Sequence, residues 1–238
     1  MYLNCFRGDN MDYDVCIENN DLTIYCSNDL EAFSHEFINY FNENIERIKK
    51  ELSIDKKTKF IVALTDDESM ANFIYGKSGF SGFFTDTGAF AYINLNGNRT
   101  KDYILKGLMH ELTHYLYKYY VYGEEKERIT WVDEGIAQFF SGQKDEFKDE
   151  ARYRSFLDDN LKSIDNIDLN MLNHKDKSFG NNNGYNLSYI AVRYLYETNK
   201  HDEFIDIIKN YDKLMDYGKS IISSMQVYYH LNNKHIRH

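Results

Sequence analysis

Proline is missing from all 238 residues, so no proline-rich linker divides the chain and no proline marks a kink. Cysteine is scarce, with Cys5, Cys16 and Cys26 the only three. An odd number gathered near one end makes no disulfide framework. None of them forms a CxxC pair, so zinc bound through sulfur is not expected. Free thiols of this kind fit a reducing compartment. Long apolar runs are absent too. No stretch approaches the roughly 20 residues that cross a bilayer, and "MYLNCFRGDN" lacks the apolar core of a secretory signal. The expectation is a cytoplasmic protein with no membrane insertion. Positive charge is in deficit, with a net charge of -10. Nucleic-acid binding needs a basic footprint, so no nucleic-acid partner is expected.

What is present is enough for a packed interior. Hydrophobic residues make up 42% of the chain, and its length suits one large domain or two lobes sharing a core. "LTIYC" at 22–26 and "KFIVALT" at 59–65 read as strands. Between them Leu30, Phe33, Phe37, Phe41, Ile45, Ile48 and Leu52 step by three or four, which is the stripe of an amphipathic helix. Asn28 or Asp29 is placed to cap it. "DDESMANFIYG" reads as a short helix ended by Gly76, and "GKSGFSGFFTDTG" as a glycine-rich turn. "GAFAYINL" at 88–95 alternates like a strand with two unlike faces. After Asn98 the pattern is helical: 102–119, 129–142, 147–161, 185–199, 202–216 and 219–231, with "GNNNG" at 180–184 as a flexible loop. The class is α+β: a small N-terminal sheet with helices, then an all-helical C-terminal lobe. The expected division is 1–119, ending in the helix of the motif below, and 120–238, the two making one catalytic unit.

That motif is "HELTH". Residues four apart lie on one face of a helix, so His110 and His114 can converge on one ion. Glu111 then points toward the same ion from one side and can touch its bound water without being a ligand, which is why the chemistry uses His-Glu-x-x-His. A coincidental match remains the alternative until a third ligand is found. Glu134 supplies one, twenty residues after His114.

Its setting, "WVDEGIAQFF", completes a resemblance to the gluzincin metallopeptidases, the thermolysin and aminopeptidase clan. Their third zinc ligand is a glutamate on a second helix, in a W-x-x-E-G-x-A context. Here that context is Trp131, Glu134, Gly135 and Ala137. The resemblance covers the zinc-binding core, 103–142. It implies a thermolysin-like catalytic domain, a Zn2+ cofactor and a peptide or protein substrate. It also implies that Asp133 and Gln138 accept the outer N–H groups of the zinc-bound histidines; the clan often has an acid where Gln138 stands. The oxyanion donor, a tyrosine or histidine on a later helix in this clan, falls to Tyr185, with Tyr189 one turn on as the alternative and the loop around His174 as a further place to look.

The clan lays substrate along a sheet edge just before the motif helix. "GAFAYINL" takes that part, with Ala89, Phe90, Ala91 and Tyr92 as substrate-binding residues; the alternative is an ordinary edge strand. The aminopeptidase branch has a glutamate at the position of Ala91 to grip the free amine. Its absence points to an endopeptidase. A binding or effector protein of narrow specificity on the same scaffold is the rival reading.

Overall fold

In a computed structural model the described residues are 13–68, 80–162, 164 and 167–232. Among the described residues the chain is mixed α/β and 62% helical, with one five-stranded sheet. It falls into two compact units, Met1–Tyr120 and Val121–His238.

The first unit holds the sheet. Strands β1 (Val15–Asn19) and β2 (Leu22–Cys26) form an antiparallel hairpin. Its two-residue turn places Asn20 at φ 33°, a left-handed conformation that asparagine tolerates better than most residues. Helix α1 (Glu31–Glu51) then crosses to β3 (Phe60–Thr65), which pairs parallel with β2. Strands β4 (Phe80–Phe84) and β5 (Gly88–Ile93) are an antiparallel hairpin, and β5 also runs parallel to β3. The order is β1-β2-β3-β5-β4.

The stripe read for α1 is the buried one, from Leu30 to Leu52 without exception. Phe41 packs edge-on against Phe60 of β3 at 5.2 Å between centroids. Phe60 in turn meets Tyr115 of helix α2 (Lys101–Leu116) at 5.5 Å. One aromatic chain thus ties the crossover helix, the central strand and the helix of the motif. Helix α2 lies against β4 and β5. Its first turn is capped by Thr100, whose hydroxyl accepts from the Tyr103 amide at 3.2 Å.

The second unit is helical: α3 (Thr130–Ser141), α4 (Glu150–Leu161), the short α5 (Ser178–Asn181), α6 (Gly184–Thr198), α7 (His201–Lys209) and α8 (Tyr211–Asn232). Helices α3 and α6 form its principal packed pair. Gly135 makes that approach possible, because a Cβ there would lie 2.3 Å from the Ser188 carbonyl oxygen. Trp131 is fully buried. Its indole N–H donates to Asn170 Oδ1 at 3.0 Å, and Asn170 Nδ2 donates to the Met215 carbonyl of α8 at 2.8 Å. A buried tryptophan needs such a partner for its one donor.

Several sequence expectations need correction. The glycine-rich stretch is not wholly a turn, since Phe80–Phe84 is a strand; three phenylalanines in five residues outweigh the glycine. "GAFAYI" is not an edge strand. It is paired on both sides, and all six residues are buried, so its alternation never meets solvent. Helix α2 loosens into a π-helical turn, Tyr117–Tyr122. The last two helices break at Asn210 instead of near 217, because the Asn210 side chain accepts from the Lys213 amide at 3.1 Å and starts α8 there. Asp149 caps α4 through the Arg152 amide at 2.9 Å, so that helix begins at Glu150. Part of "GNNNG" is helical, and Asn28 to Leu30 form a 3-10 turn before α1. The helix expected over 66–76 falls mostly outside the described residues, as does Cys5. No helix among the described residues is long and apolar enough to cross a membrane.

Gly135→Ala is expected to lower stability by roughly 1–3 kcal/mol, the usual cost of an added methyl in a packed interior. The methyl would meet backbone, which cannot rotate away. A melting temperature equal to that of the parent protein would contradict the α3–α6 contact.

Candidate metal centre

On α2 the helical period sets the two histidines on one face. Their Nε2 atoms lie 3.0 Å apart, and the rings meet edge to face at 4.5 Å. Two nitrogens each 2.0–2.1 Å from one tetrahedral zinc would stand about 3.3 Å apart, so the pair is already close to ligand geometry. The buried side of the helix holds both: His110 is 8% exposed and His114 is 2% exposed. Phe84 of β4 packs on the His114 ring at 5.3 Å. Glu111, half-buried, lies beneath the same strand. A Cβ at Gly82 would come within 3.3 Å of Glu111 Cγ, so a glycine there lets β4 pass directly over the glutamate.

On α3 the carboxylates of Asp133 and Glu134 are buried side by side, 3% and 5% exposed. Buried charges need partners. Arg128, just before the helix, gives Nε to Asp133 Oδ2 and Nη2 to Glu134 Oε1, the latter at 2.9 Å. His174 Nε2 approaches the same Oε1 at 3.1 Å.

The ligand atoms of His110, His114 and Glu134 all lie within 4.8 Å of one another, and all three residues are buried. Two imidazoles and one carboxylate are a donor set that suits zinc. The residues present therefore fit the metal that the sequence implies.

The remaining expectations fare unevenly. Gln138 is buried on α3, but its amide acts as a donor. Nε2 reaches the Tyr185 carbonyl at 2.9 Å and the Glu134 carbonyl at 3.3 Å. Through that nitrogen it ties α3 to the first turn of α6. Asp133 receives the Arg128 guanidinium. Tyr185 is 46% exposed near the start of α6, and its ring touches Phe179 at 4.9 Å and His174 at 5.6 Å. Tyr189 is 4% exposed, among Phe139, Phe147, Tyr153 and Phe156. Burial raises its hydroxyl pKa, partly offset by Arg193, which donates to it. Of the two tyrosines only Tyr185 is placed to meet a solvent-borne molecule.

Ala89, Phe90, Ala91 and Tyr92 are buried in the interior strand β5. The outer strand on that side, among the described residues, is β4. The sequence reading missed Arg128 altogether. Its one signal is a basic residue just ahead of a helix that carries two adjacent acids, Asp133 and Glu134, one turn in.

No family model matches the chain. Among curated proteins it is similar to Collagenase ColA of Clostridium perfringens (strain 13 / Type A), with 30% identity over 173 residues. The alignment takes in 65% of this chain, which spans only about 15% of the collagenase's length. The chain thus combines a distant likeness to a protease with a buried His-His-Glu group able to hold a metal.

One zinc per chain is expected, held by His110, His114 and Glu134. His114→Ala or Glu134→Ala leaves two protein ligands and should cost orders of magnitude in affinity. Full zinc occupancy in His114→Ala, by metal analysis of purified protein, would refute the assignment.

Proposed function

We propose that the protein is a zinc-dependent metallopeptidase that cuts internal peptide bonds, on a thermolysin-like catalytic scaffold. The observation that carries this reading is the buried group of His110, His114 and Glu134, with Glu111 next to the first histidine on the same helix. The distant likeness to a collagenase supports it. A zinc ion held by the three ligands would polarise the scissile carbonyl and make water acidic enough to attack at neutral pH.

The other steps belong to the chain. Glu111 takes a proton from the attacking water and later delivers it to the leaving amine. A carboxylate can serve both turns because it is within reach throughout. Tyr185 donates its hydroxyl to the oxyanion of the tetrahedral intermediate, where a fixed donor is most effective. Its exposure, and the burial of Tyr189, support that choice. An extended substrate lies along β4 and not β5, whose main chain is committed on both sides. Along β4 a peptide would run past Gly82 and Glu111. Strand addition of this kind takes affinity from the main chain and selectivity from side chains. Ala91 is wholly buried and carries no acid, which supports cleavage without a free amine.

Glu111→Gln should keep its zinc and its fold but lose about 10²–10⁴-fold in turnover, because an amide cannot take the proton. The parent protein should cut peptides blocked at both ends as readily as free ones. Near-normal turnover in Glu111→Gln removes it as the base, and strict dependence on a free N-terminus reverses the endopeptidase reading. Zinc binding without cleavage of any peptide in a mixed library would favour a binding or effector protein.

Tyr185→Phe should lower kcat by about 10²–10³-fold. An interaction made only in the transition state leaves KM nearly unchanged. Tyr189→Phe is the control and should leave kcat within a few-fold. The opposite result would move the oxyanion donor to Tyr189.

A further inference from the structure

Glu134 is held from outside the helix that carries it. Arg128 Nη2 and His174 Nε2 both meet one oxygen, Oε1, at 2.9 and 3.1 Å. Arg128 spends its Nε on the neighbouring Asp133, so a single planar guanidinium spans two adjacent carboxylates. That geometry belongs to arginine; an ammonium on a flexible stem has the charge but no fork. His174 is itself fixed, with Phe179 at 4.5 Å and Tyr185 at 5.6 Å from its ring. Its loop is closed by the Ser178 hydroxyl, which accepts from the Asn173 amide at 2.8 Å. Neither donor is needed to start α3, because an acid in the first turn already suits the positive end of a helix.

On the reading of Glu134 as a zinc ligand, we propose that Arg128 and His174 are positioning residues for it. Together they hold Oε1 and present Oε2 to the metal, so that Glu134 binds through one oxygen in one orientation. A carboxylate free to rotate would pay ordering entropy on binding and could take the metal through both oxygens. Groups that orient a metal ligand typically contribute 10–100-fold in metal affinity or activity. Tyr185 enters the same arrangement from behind, since its ring braces the His174 imidazole.

The test uses the full chain and four variants: Arg128→Lys, His174→Ala, His174→Gln and Glu134→Ala. Zinc affinity is read by competition with a chromogenic chelator. Ligand geometry is read from the visible absorption of the cobalt(II)-loaded protein, which senses coordination whether or not catalysis occurs. Melting of each metal-free variant reports the fold. Arg128→Lys keeps the charge, yet zinc affinity should fall about 10–100-fold and the cobalt bands should shift. His174→Ala should weaken zinc about tenfold. His174→Gln, whose amide can still donate, should recover most of that loss. Zinc affinity and cobalt spectra like those of the parent in both Arg128→Lys and His174→Ala would overturn the proposal while leaving the metal site standing. An equal loss in His174→Gln and His174→Ala would also overturn the donor role. If the parent chain binds zinc no better than Glu134→Ala, the metal reading itself fails and this inference with it. Should Arg128→Lys not fold, the histidine variants decide, because His174 is partly exposed on a loop.

Discussion

A carboxylate cannot be buried alone, and much of the second unit is arranged around that fact. Glu134 and Asp133 are nearly inaccessible. Taking an ionised acid out of water costs several kcal/mol unless donors or cations replace the water. Arg128 and His174 meet that need from two directions, one just ahead of α3 and one from a loop forty residues later. The glycine after Glu134 then lets α6 lie close against α3, which brings Tyr185 and the His174 loop to the same end of the helix pair. One buried charge thus accounts for an arginine and a histidine that share no sequence pattern.

The unit with the histidine pair follows a different logic. There the sheet supplies a rigid floor, and the aromatic chain from Phe41 through Phe60 to Tyr115 fixes the motif helix on it. Gly82 has no side chain to stand between β4 and Glu111. Catalytic groups set on a helix and a strand are held more closely than groups set on loops.

The parts legible in the sequence are those governed by local periodicity. The α1 stripe reads off directly because every third or fourth residue is apolar and every one of those is buried. The facing of His110 and His114 reads off because a helix has one period. Glu134 stands out only through the spacing and the W-x-x-E-G-x-A setting of the clan that the sequence resembles, since helical period alone marks no one glutamate among many. What was not legible depends on contacts between distant residues. That β5 is interior follows from its pairing with both β3 and β4, and alternation in a single strand says nothing about neighbours on either side. Arg128 and His174 are separated by 46 residues and meet only at Glu134 Oε1. The sequence prefers Tyr185 to Tyr189 only by its place at the start of the helix; the packing of Phe139, Phe147 and Phe156 around the second separates them physically.

Gln138 has a chemical consequence beyond its place in the fold. Its nitrogen is a donor to two main-chain carbonyls, those of Tyr185 and Glu134. Glutamine and glutamate have almost the same shape, but an ionised carboxylate only accepts. Deamidation at this one position, a hydrolysis in which water enters as ammonia leaves so that the mass barely changes, would turn both contacts from attraction to repulsion. The first turn of α6 would lose its tether to α3 while His110, His114 and Glu134 stayed chemically intact. An aged preparation could therefore hold its full complement of metal and still have drifted at Tyr185, so metal content alone is a poor measure of how much of the sample is sound.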